Sequence, residues 1–443
     1  VKIVSSYKVK IKHYSAIFTE MVNKYRRAVA FFIAVCAKEW AILESLNGKN
    51  RNNKIERMTI VTKKNPNPKY NFNGLFYKMP SYLRRAAIQQ AIGCYTSYIS
   101  NLSNWESSDK SRKKPTLTVE RNVMPVLYKS NMYVRTGRNT AKIKIFHKSD
   151  WVWLEIELRE QDVKYIEKNC AHLIELVPTL KKSGKQWYLT FPFEEEVKII
   201  DKPVNNRIVC AVDLGINKNA VCSIILSDGT VAARTFVDLS AEKDRLEKVI
   251  GRIKKAQQNG NRKTPIKWKH AKDLNTDISR KTAQAIVEFA VLHNADVIVF
   301  EYLDMQGKKR GSKKQRLHLW RKREIQRIVE HNAHRNGIRI SRVNAWNTSR
   351  LAFDGSGNVT RGIYTVNGEE KYNYSICVFQ SGKTYHNDLN ASYNIGARYF
   401  IREILKSEPE MARLPSEAKA LRYGTGTTRT LSTLIRLNAD LCA

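Results

Sequence analysis

Three acidic residues of this sequence lie at unusual positions, two at the ends of apolar segments and one at the start of an amphipathic segment. Asp213 closes the apolar segment "RIVCAVDLG", and Glu301 closes "DVIVFE". Asp388 opens the amphipathic stretch "HNDLNASYNIGARYF" in a chain dominated by positive charge. Asp is a common capping or first-turn residue of helices, so Asp388 alone predicts only a helix start. An acid at the end of a buried strand, in contrast, is unfavourable unless it is paired or binds a cation.

The order of elements between the three acids predicts that they meet. Residues 206–237 read as three strands joined by short turns, hence as antiparallel neighbours. Helical patterns then alternate with the strands "DVIVFE" and "GIRISRV", at residues 241–257, 276–294 and 312–336. This is the ribonuclease H-like order of an α/β layer fold. Its first and fourth strands are neighbours, so Asp213, Glu301 and the start of the last helix should converge.

Three carboxylates in one place repel each other unless a dication lies among them. Mg²⁺ prefers oxygen ligands and keeps water and substrate phosphate in its shell. Two such ions about 4 Å apart activate water for phosphodiester hydrolysis. We predict that Asp213 bridges two Mg²⁺ ions and that Glu301 and Asp388 each hold one side, with Mn²⁺ as a substitute. Asn390 could support the site by orienting water or substrate, although a polar surface position is the simpler interpretation.

The charge of the chain points to a polyanionic partner. Its 443 residues carry 78 Lys and Arg against 41 Asp and Glu, a formal net charge of +37, while 42% apolar residues exclude a disordered protein. Nucleic acid is the first candidate. No membrane partner is expected, because the longest apolar run, "AVAFFIAVCA", has ten residues, where a spanning helix needs about 20. Seven scattered cysteines without a Cys-x-x-Cys pair, and no secretory signal, predict a reducing prokaryotic cytoplasm.

The N-terminal half predicts two units of different kinds. Residues 1–10 read as a strand, and residues 11–107 as a helical unit interrupted by the polar loop "NGKNRNNK". Within residues 108–205, apolar and polar residues alternate in "AKIKIF" and "WLEIEL", which predicts a small β-barrel. The helical unit would then be an insertion between the first strand and the rest of the barrel.

The three acidic segments resemble a known family. "AVDLGINKNA", "VIVFEYLD" and "DLNASYNIGA" are similar to the three RuvC motifs of TnpB transposon nucleases and their compact type V CRISPR relatives, and the resemblance covers residues 206–404. It implies an α+β multidomain protein, with a wedge β-barrel, an inserted helical recognition domain, and a ribonuclease H-like RuvC domain split into residues 206–345 and 387–404. It also implies an RNA-guided DNA endonuclease, a monomer or homodimer on its RNA. Such a protein pairs a guide RNA with target DNA beside a short flanking motif.

Two basic segments are candidate contacts to nucleic acid. Residues 248–272 hold nine Lys or Arg and no acid, where the resemblance places a basic bridging helix; a solvated helix face is the alternative. Residues 307–316 hold six basic residues and two glycines, and fit either a lid over substrate phosphate or a plain disordered loop. The candidate contacts are Lys248, Arg252, Lys254, Lys255, Arg262, Lys263, Lys308, Lys309, Arg310, Lys313, Lys314 and Arg316.

The segment before the last acid departs from the family pattern. Relatives often carry a zinc ribbon there, whereas residues 346–386 contain only Cys377 and His386 as ligands of that kind. Structural zinc normally takes four ligands, so we expect a target-nucleic-acid-binding insert without zinc, and then a C-terminal tail at residues 405–443. Two other functions stay open: a guide-independent, resolvase-like or structure-specific DNA nuclease, and an RNA-guided DNA-binding protein that does not cut.

Overall fold

In a computed structural model, the chain divides into two compact units. The N-terminal unit comprises residues 2–195, and the C-terminal unit comprises residues 196–443 together with Val1. The structure describes residues 1–12, 16–108, 110, 113–119, 122–215, 218–261, 263–302, 313–366 and 369–442.

The N-terminal unit combines helices with short antiparallel strands around one apolar cluster. Its helices are α1 (Ile17–Leu43), α2 (Gly48–Thr59), α3 (Phe72–Leu75), α4 (Ser81–Glu106) and α5 (Glu160–Cys170). Its strands are β1 (Lys2–Lys10), β2 (Tyr133–Arg135), β3 (Thr140–His147), β4 (Asp150–Glu157), β5 (Ile174–Glu175), β6 (Thr179–Ser183) and β7 (Gln186–Glu196). The apolar run of α1 packs into this cluster. Of the helices that the structure describes, none has the length and apolar character needed to cross a membrane.

The strands of this unit form two open sheets, where the alternating pattern predicted a barrel. β7 pairs with β1, β5 and β6, and β3 pairs with β2 and β4. An isolated bridge joins the two sheets where Ile11, just after β1, pairs with Leu158, just after β4. Because the chain leaves β1 after Lys10 and soon enters α1, the ladder beside β4 does not continue. Within the described residues no barrel is closed, and that part of the prediction is wrong.

The segment predicted as a polar loop is helix α2. Asn47 is its N-cap, with Oδ1 accepting a hydrogen bond from the backbone N–H of Asn50 (3.0 Å). Arg51 reaches back and donates to the carbonyl oxygens of Leu43 (2.8 Å) and Leu46 (2.9 Å). It thereby supplies donors to carbonyl groups at the end of α1 and in the turn that follows, where intrahelical donors are lacking. Capping stabilises a helix here that apolar periodicity does not reveal.

The C-terminal unit alternates strands with helices after a three-strand meander. Its strands are β8 (Val209–Asp213), β9 (Ala220–Ile225), β10 (Val231–Val237), β11 (Val297–Glu301), β12 (Arg339–Val343), β13 (Thr360–Val366), β14 (Glu369–Val378) and β15 (Thr384–His386). Its helices are α6 (Ser240–Gln258), α7 (Pro265–Leu292), α8 (Lys313–Arg335), α9 (Asn387–Ser407), α10 (Pro409–Arg413), α11 (Ser416–Tyr423) and α12 (Leu431–Cys442). β13, β14 and β15 form a separate three-stranded antiparallel sheet.

Five strands form the central sheet in the order β10-β9-β8-β11-β12. β9 is antiparallel to β8 and β10, whereas β11 is parallel to β8 and β12. The prediction that the first and fourth strands of this unit are neighbours is confirmed, since Val212 of β8 lies opposite Phe300 of β11. The carboxyl ends of these two strands therefore lie at the same edge of the sheet.

Helices cover both faces of this sheet. Val209 and Ala211 belong to the apolar cluster that contains α9, whereas Cys210 and Val212 belong to the cluster that contains α7 and α8. Strands buried on both faces read as continuous apolar runs, which is why "IVCAV" shows no alternation.

Two predicted boundaries differ from the structure. α7 begins at Pro265, earlier than the predicted start at residue 276, because proline suits the first helical turn even where the surrounding sequence is strongly basic. Residues 405–443, predicted as a tail, contain α10, α11 and α12. Met411, Tyr423 and Leu434 of these helices lie in the same buried cluster as α9. The C-terminal segment is thus part of the core.

Close packing of α9 on the sheet depends on Gly396. A Cβ atom at this position would lie 2.5 Å from Ile225 Cδ1 and 3.1 Å from Ala211 Cβ. Ala211 has no rotamer that could move its Cβ away. The helix therefore approaches β8 and β9 more closely than any residue with a side chain would permit.

We predict that Gly396→Ala destabilises the protein by about 1–3 kcal/mol, the usual cost of overpacking a core. Gly251→Ala in α6 is the matched control, since a Cβ there meets nothing within 4 Å and Ala is favoured over Gly in helices by up to about 1 kcal/mol. Denaturant unfolding measures both variants. Equal stability of Gly396→Ala and the parent would contradict this packing.

Candidate active site

Strand register brings Asp213 and Glu301 side by side. The two residues end the parallel neighbours β8 and β11. Because Val212 pairs with Phe300, the next residues along the two strands are Asp213 and Glu301. Side chains alternate between the faces of a sheet, so both acids belong to the face that packs against α9.

Asp388 lies in the first turn of α9 without being its cap. The N-cap is His386, whose Nδ1 accepts a hydrogen bond from the backbone N–H of Asp388 (3.2 Å). Burial lowers the pKa of His386, which favours the neutral ring that can accept this bond. A Cβ on Gly215, two residues after Asp213, would lie 3.6 Å from Asp388 Oδ2. The carboxylate therefore faces the loop that follows β8.

Electrostatics join the three acids into one site. Desolvation raises the pKa of Asp213 well above its usual range, and the charges of Glu301 and Asp388 raise it further. The positive charges of Lys322 and Arg361 act in the opposite direction. All three acids keep partial exposure, so solvent and substrate can reach them. Sequence reasoning missed Lys322 and Arg361, because nothing local distinguishes them among many basic residues.

The donor chemistry of this cluster fits Mg²⁺. Its three acids offer carboxylate oxygens, the ligand type that Mg²⁺ prefers, and their mutual repulsion favours a positive charge among them. Within the ranges that the structure describes, however, no three His, Cys, Asp or Glu side chains are arranged as a ready metal-binding group. The three carboxylates interact electrostatically, but their oxygens do not form a complete set of metal ligands.

Glu301 is held at both its side chain and its backbone. The hydroxyl of Thr348 donates a hydrogen bond to Glu301 Oε1. Gln326 Nε2 donates to the backbone oxygen of Glu301 (3.1 Å). Sequence reasoning gave Thr348 no role, since the contact joins residues 47 positions apart.

Asn390 is fully buried, so the predicted surface position is wrong. Its Oδ1 accepts from the backbone N–H of Phe353 (2.8 Å), and its Nδ2 donates to the carbonyl oxygen of Leu351 (2.9 Å). One turn later, Asn394 Nδ2 donates to the carbonyl oxygens of Thr348 and Leu351, at 2.9 Å each. Asn390 therefore supports the site by holding the backbone of residues 351–353, and its amide is engaged in that role.

Comparison with known proteins places the N-terminal part of the chain in a family. Residues 5–147 match the model of the Aq_aa04 family. The protein aq_aa04 of Aquifex aeolicus (strain VF5), described as uncharacterized, is 35% identical in an alignment of 151 residues that covers 29% of this chain and 85% of that protein. The chain belongs to the Aq_aa04 family.

A second family model matches the C-terminal unit. Residues 323–395 match the Cas12f1-like, TNB domain. The matched segment runs from α8 into α9 and includes Thr348 and Asp388. This match confirms the resemblance to compact type V nucleases that the acidic motifs indicated.

Solved structures resemble the chain at low sequence identity. A Cas12f1-sgRNA-target DNA complex is 15% identical, with 89% of this chain and 98% of that chain covered and a TM-score of 0.33. A CRISPR-Cas12f ternary complex is 14% identical, with 86% and 80% covered and a TM-score of 0.32. CasPhi-2 (Cas12j) bound to crRNA is 10% identical, with 89% and 97% covered and a TM-score of 0.41. All three TM-scores are below 0.5, so these likenesses carry no argument about function.

The predicted basic contacts of this Aq_aa04-family chain fall into three groups. Lys248, Arg252, Lys254 and Lys255 lie on the exposed side of α6, opposite its buried Leu246, Val249 and Ile253, and Lys263 is exposed just before α7. Arg262, Lys308, Lys309 and Arg310 lie outside the described residues. Lys313, Lys314 and Arg316 belong to α8, so the predicted loop or lid ends where that helix begins. Contact with nucleic acid stays a prediction for all of them.

Cys377 is a buried thiol in the insert of residues 346–386. It lies in a small cluster with Ala352 and Phe379, and its Sγ donates to the carbonyl oxygen of Tyr385 (3.5 Å). Burial raises the pKa of this thiol to about 11, so it stays protonated near neutral pH. A zinc ligand, in contrast, must be a thiolate.

The apolar core of this insert is small. Ile363 and Tyr372, in its strands β13 and β14, are 46% and 62% exposed. Burial is concentrated at the base of the β13–β14 hairpin, around Cys377 and Phe379. Ile363 and residues 370–374, farther along the hairpin, are exposed to solvent.

We predict that Asp213→Asn stabilises the metal-free protein at neutral pH. A carboxyl whose pKa is raised by folding weakens the fold once the pH exceeds the unfolded value of about 4. The stability gained by the variant should therefore grow as the pH rises from 4 toward 8, and reach about 1 kcal/mol or more, since each pKa unit corresponds to about 1.4 kcal/mol.

Denaturant unfolding in chelator at several pH values measures this gain. Asp277→Asn in α7 is the control, because Asp277 forms an exposed ion pair with Lys281 (3.3 Å) and such pairs contribute little. A loss of stability in Asp213→Asn at pH 8 would show that Asp213 is not under repulsion.

We also predict that the protein needs no structural zinc. Cys377→Ser should leave nucleic-acid binding and any cleavage close to the parent level, because Cys377 acts as a small buried side chain. Cys442→Ser, at an exposed cysteine, is the control. Elemental analysis of the purified protein should find far less than one zinc per chain. A stoichiometric zinc signal that disappears with Cys377 would contradict the prediction.

Proposed function

We propose that the chain is an RNA-guided DNA endonuclease with one active site, at Asp213, Glu301 and Asp388. The observation that carries the proposal is the raised pKa of Asp213 under the charges of Glu301 and Asp388, at a point where two strand ends and a helix start meet. A cluster of partly exposed carboxylates suits metal-assisted hydrolysis of a phosphodiester. The match of residues 323–395 to a Cas12f1-like domain supports a guided nuclease in general.

Two Mg²⁺ ions, or Mn²⁺ in their place, would be held by the carboxylates of the three acids. When bound, such ions supply an activated water and stabilise the leaving oxygen. The chain contributes the fixed positions of its carboxylates, which strand register and the first turn of α9 determine. Lys322 and Arg361, which act electrostatically on Asp213, are placed to attract the substrate phosphate.

The partners that we propose are a guide RNA and a DNA target beside a short flanking motif. A net charge of +37 suits a protein that neutralises many phosphates, and such binding weakens steeply as salt concentration rises. The exposed side of α6 would form part of the basic surface for the guide–target duplex. The basic residues after Glu301 would contact the phosphates of the substrate.

We predict that Glu301→Gln lowers the cleavage rate by more than about 100-fold. Removing a residue that only hydrogen-bonds to a metal ligand lowers activity by up to about 100-fold, and removing the ligand itself should cost more. The amide keeps the shape of Glu301 but removes the charge that holds the cation. Binding of guide RNA and of target DNA should persist, because the acid does not contribute to the basic surface. Cleavage assays with Mg²⁺, alongside filter-binding or gel-shift assays, measure the two effects separately.

Glu330→Gln is the matched control. Glu330 lies in α8 and pairs with Arg342 (2.7 Å), and it is not one of the three acids, so its variant should cut at the parent rate. If Glu301→Gln also cuts at the parent rate, the site has been misplaced. If the parent binds its guide and target but cuts nothing with Mg²⁺ present, a DNA-binding function replaces the nuclease.

A further inference from the structure

The hydroxyl of Thr348 fixes one carboxylate oxygen of Glu301 from inside the protein. Thr348 Oγ1 donates to Glu301 Oε1, and Thr348 is only 1% exposed. Oγ1 also lies 3.1 Å from the carbonyl oxygen of Ala345. A hydroxyl has one proton, and a carboxylate is a stronger acceptor than a neutral carbonyl. The proton therefore goes to Glu301 when that residue is ionised.

Thr348 is itself held in place by α9. Asn394 Nδ2 donates to the carbonyl oxygen of Thr348 (2.9 Å), and Asn394 Oδ1 accepts from the backbone N–H of Leu431 at the start of α12 (3.2 Å). Asn394 is fully buried. Two buried hydrogen bonds and the partly buried one to Glu301 thus link the C-terminal segment, through α9 and Thr348, to the carboxylate of Glu301.

The backbone of Glu301 is fixed independently of this path. β11 pairs with β8 on one side and with β12 on the other, where Glu301 lies opposite Val343. Gln326 donates to its backbone oxygen. With its backbone fixed, Glu301 can still rotate about its side-chain torsion angles. The hydrogen bond from Thr348 selects one orientation of the carboxylate.

We propose that Thr348 is a positioning residue for Glu301, which orients its carboxylate toward the divalent cation. The inference rests on the proposed function, because it takes Glu301 as a metal ligand. Hydrogen-bond partners that orient a ligand typically contribute about 10–100-fold in metal affinity or activity. Thr348 touches neither substrate nor cation in this account and acts through Glu301 alone.

The test compares Thr348→Val, which keeps the shape but removes the hydroxyl, with Thr348→Ser, which keeps the hydroxyl. Thr282→Val is the matched control, since Thr282 is as buried as Thr348 and its hydroxyl donates within α7, to the carbonyl oxygen of Ile278 (2.8 Å). Mn²⁺ binding to the protein without nucleic acid, followed by electron paramagnetic resonance, is the first readout. Thermal unfolding in chelator and the Mg²⁺ concentration for half-maximal cleavage are the second and third.

We expect Thr348→Val to weaken Mn²⁺ binding about 10-fold and to raise the half-maximal Mg²⁺ concentration by a similar factor. Thr348→Ser should stay within about 3-fold of the parent, and Thr282→Val should bind Mn²⁺ as the parent does. In a Glu301→Gln background, Thr348→Val should cause no further loss of Mn²⁺ affinity, because its effect passes through the Glu301 carboxylate.

Parent-like Mn²⁺ affinity in Thr348→Val, with Glu301→Gln clearly weakened, would overturn the inference and leave the proposed site intact. The inference would also be overturned if Thr348→Val and Thr348→Ser lost Mn²⁺ affinity equally and both lost thermal stability. The role of Thr348 would then be structural. If Glu301→Gln binds Mn²⁺ as tightly as the parent, the proposed site itself fails, and the inference fails with it.

Discussion

Repulsion among the carboxylates at the ends of β8 and β11 is the constraint on which the rest of the C-terminal unit depends. Asp213 and Glu301 cannot separate without breaking the ladder that pairs Val209 with Val297 and Val212 with Phe300. Asp388 cannot withdraw while Gly396 keeps α9 tight against the sheet. In a rigid frame that holds like charges together, folding meets the cost of assembling the carboxylates, which is what the proposed cation site requires.

Buried polar groups explain how helices far apart in the sequence maintain this frame. Arg398 of α9 is 3% exposed, and burial lowers its pKa to about 10. Its guanidinium donates to the carbonyl oxygens of Asn344 and Trp346, which precede Thr348, and to those of Thr427 and Arg429 in the C-terminal segment. Because a buried charge is tolerated only when its donors are satisfied, these contacts fix α9, the loop after β12 and the last helices as one body.

Sequence reasoning found the features that local pattern determines. Apolar strands ending in Asp213 and Glu301, and the helical period after Asp388, are visible along the chain, and the pairing of β8 with β11 follows from element order. It missed α2, whose stability comes from the Asn47 cap and the folded-back Arg51. It also missed Thr348, because a hydroxyl that bonds a distant carboxylate has no local signature. The β-barrel that does not close is also invisible to local pattern. Closure depends on the number of residues over which two edge strands pair, and within the described residues an isolated bridge is all that joins them.

The central claim is that guide pairing directs metal-dependent hydrolysis at the three acids. The most direct measurement sequences the RNA that co-purifies with the protein and then offers DNA that carries the complement of its variable end, flanked by a randomised segment. The account predicts that this DNA is cut with Mg²⁺, that scrambled DNA is not cut, and that chelator stops cutting. Cutting of both DNAs at equal rates, or of neither with Mg²⁺ and bound RNA present, would contradict it.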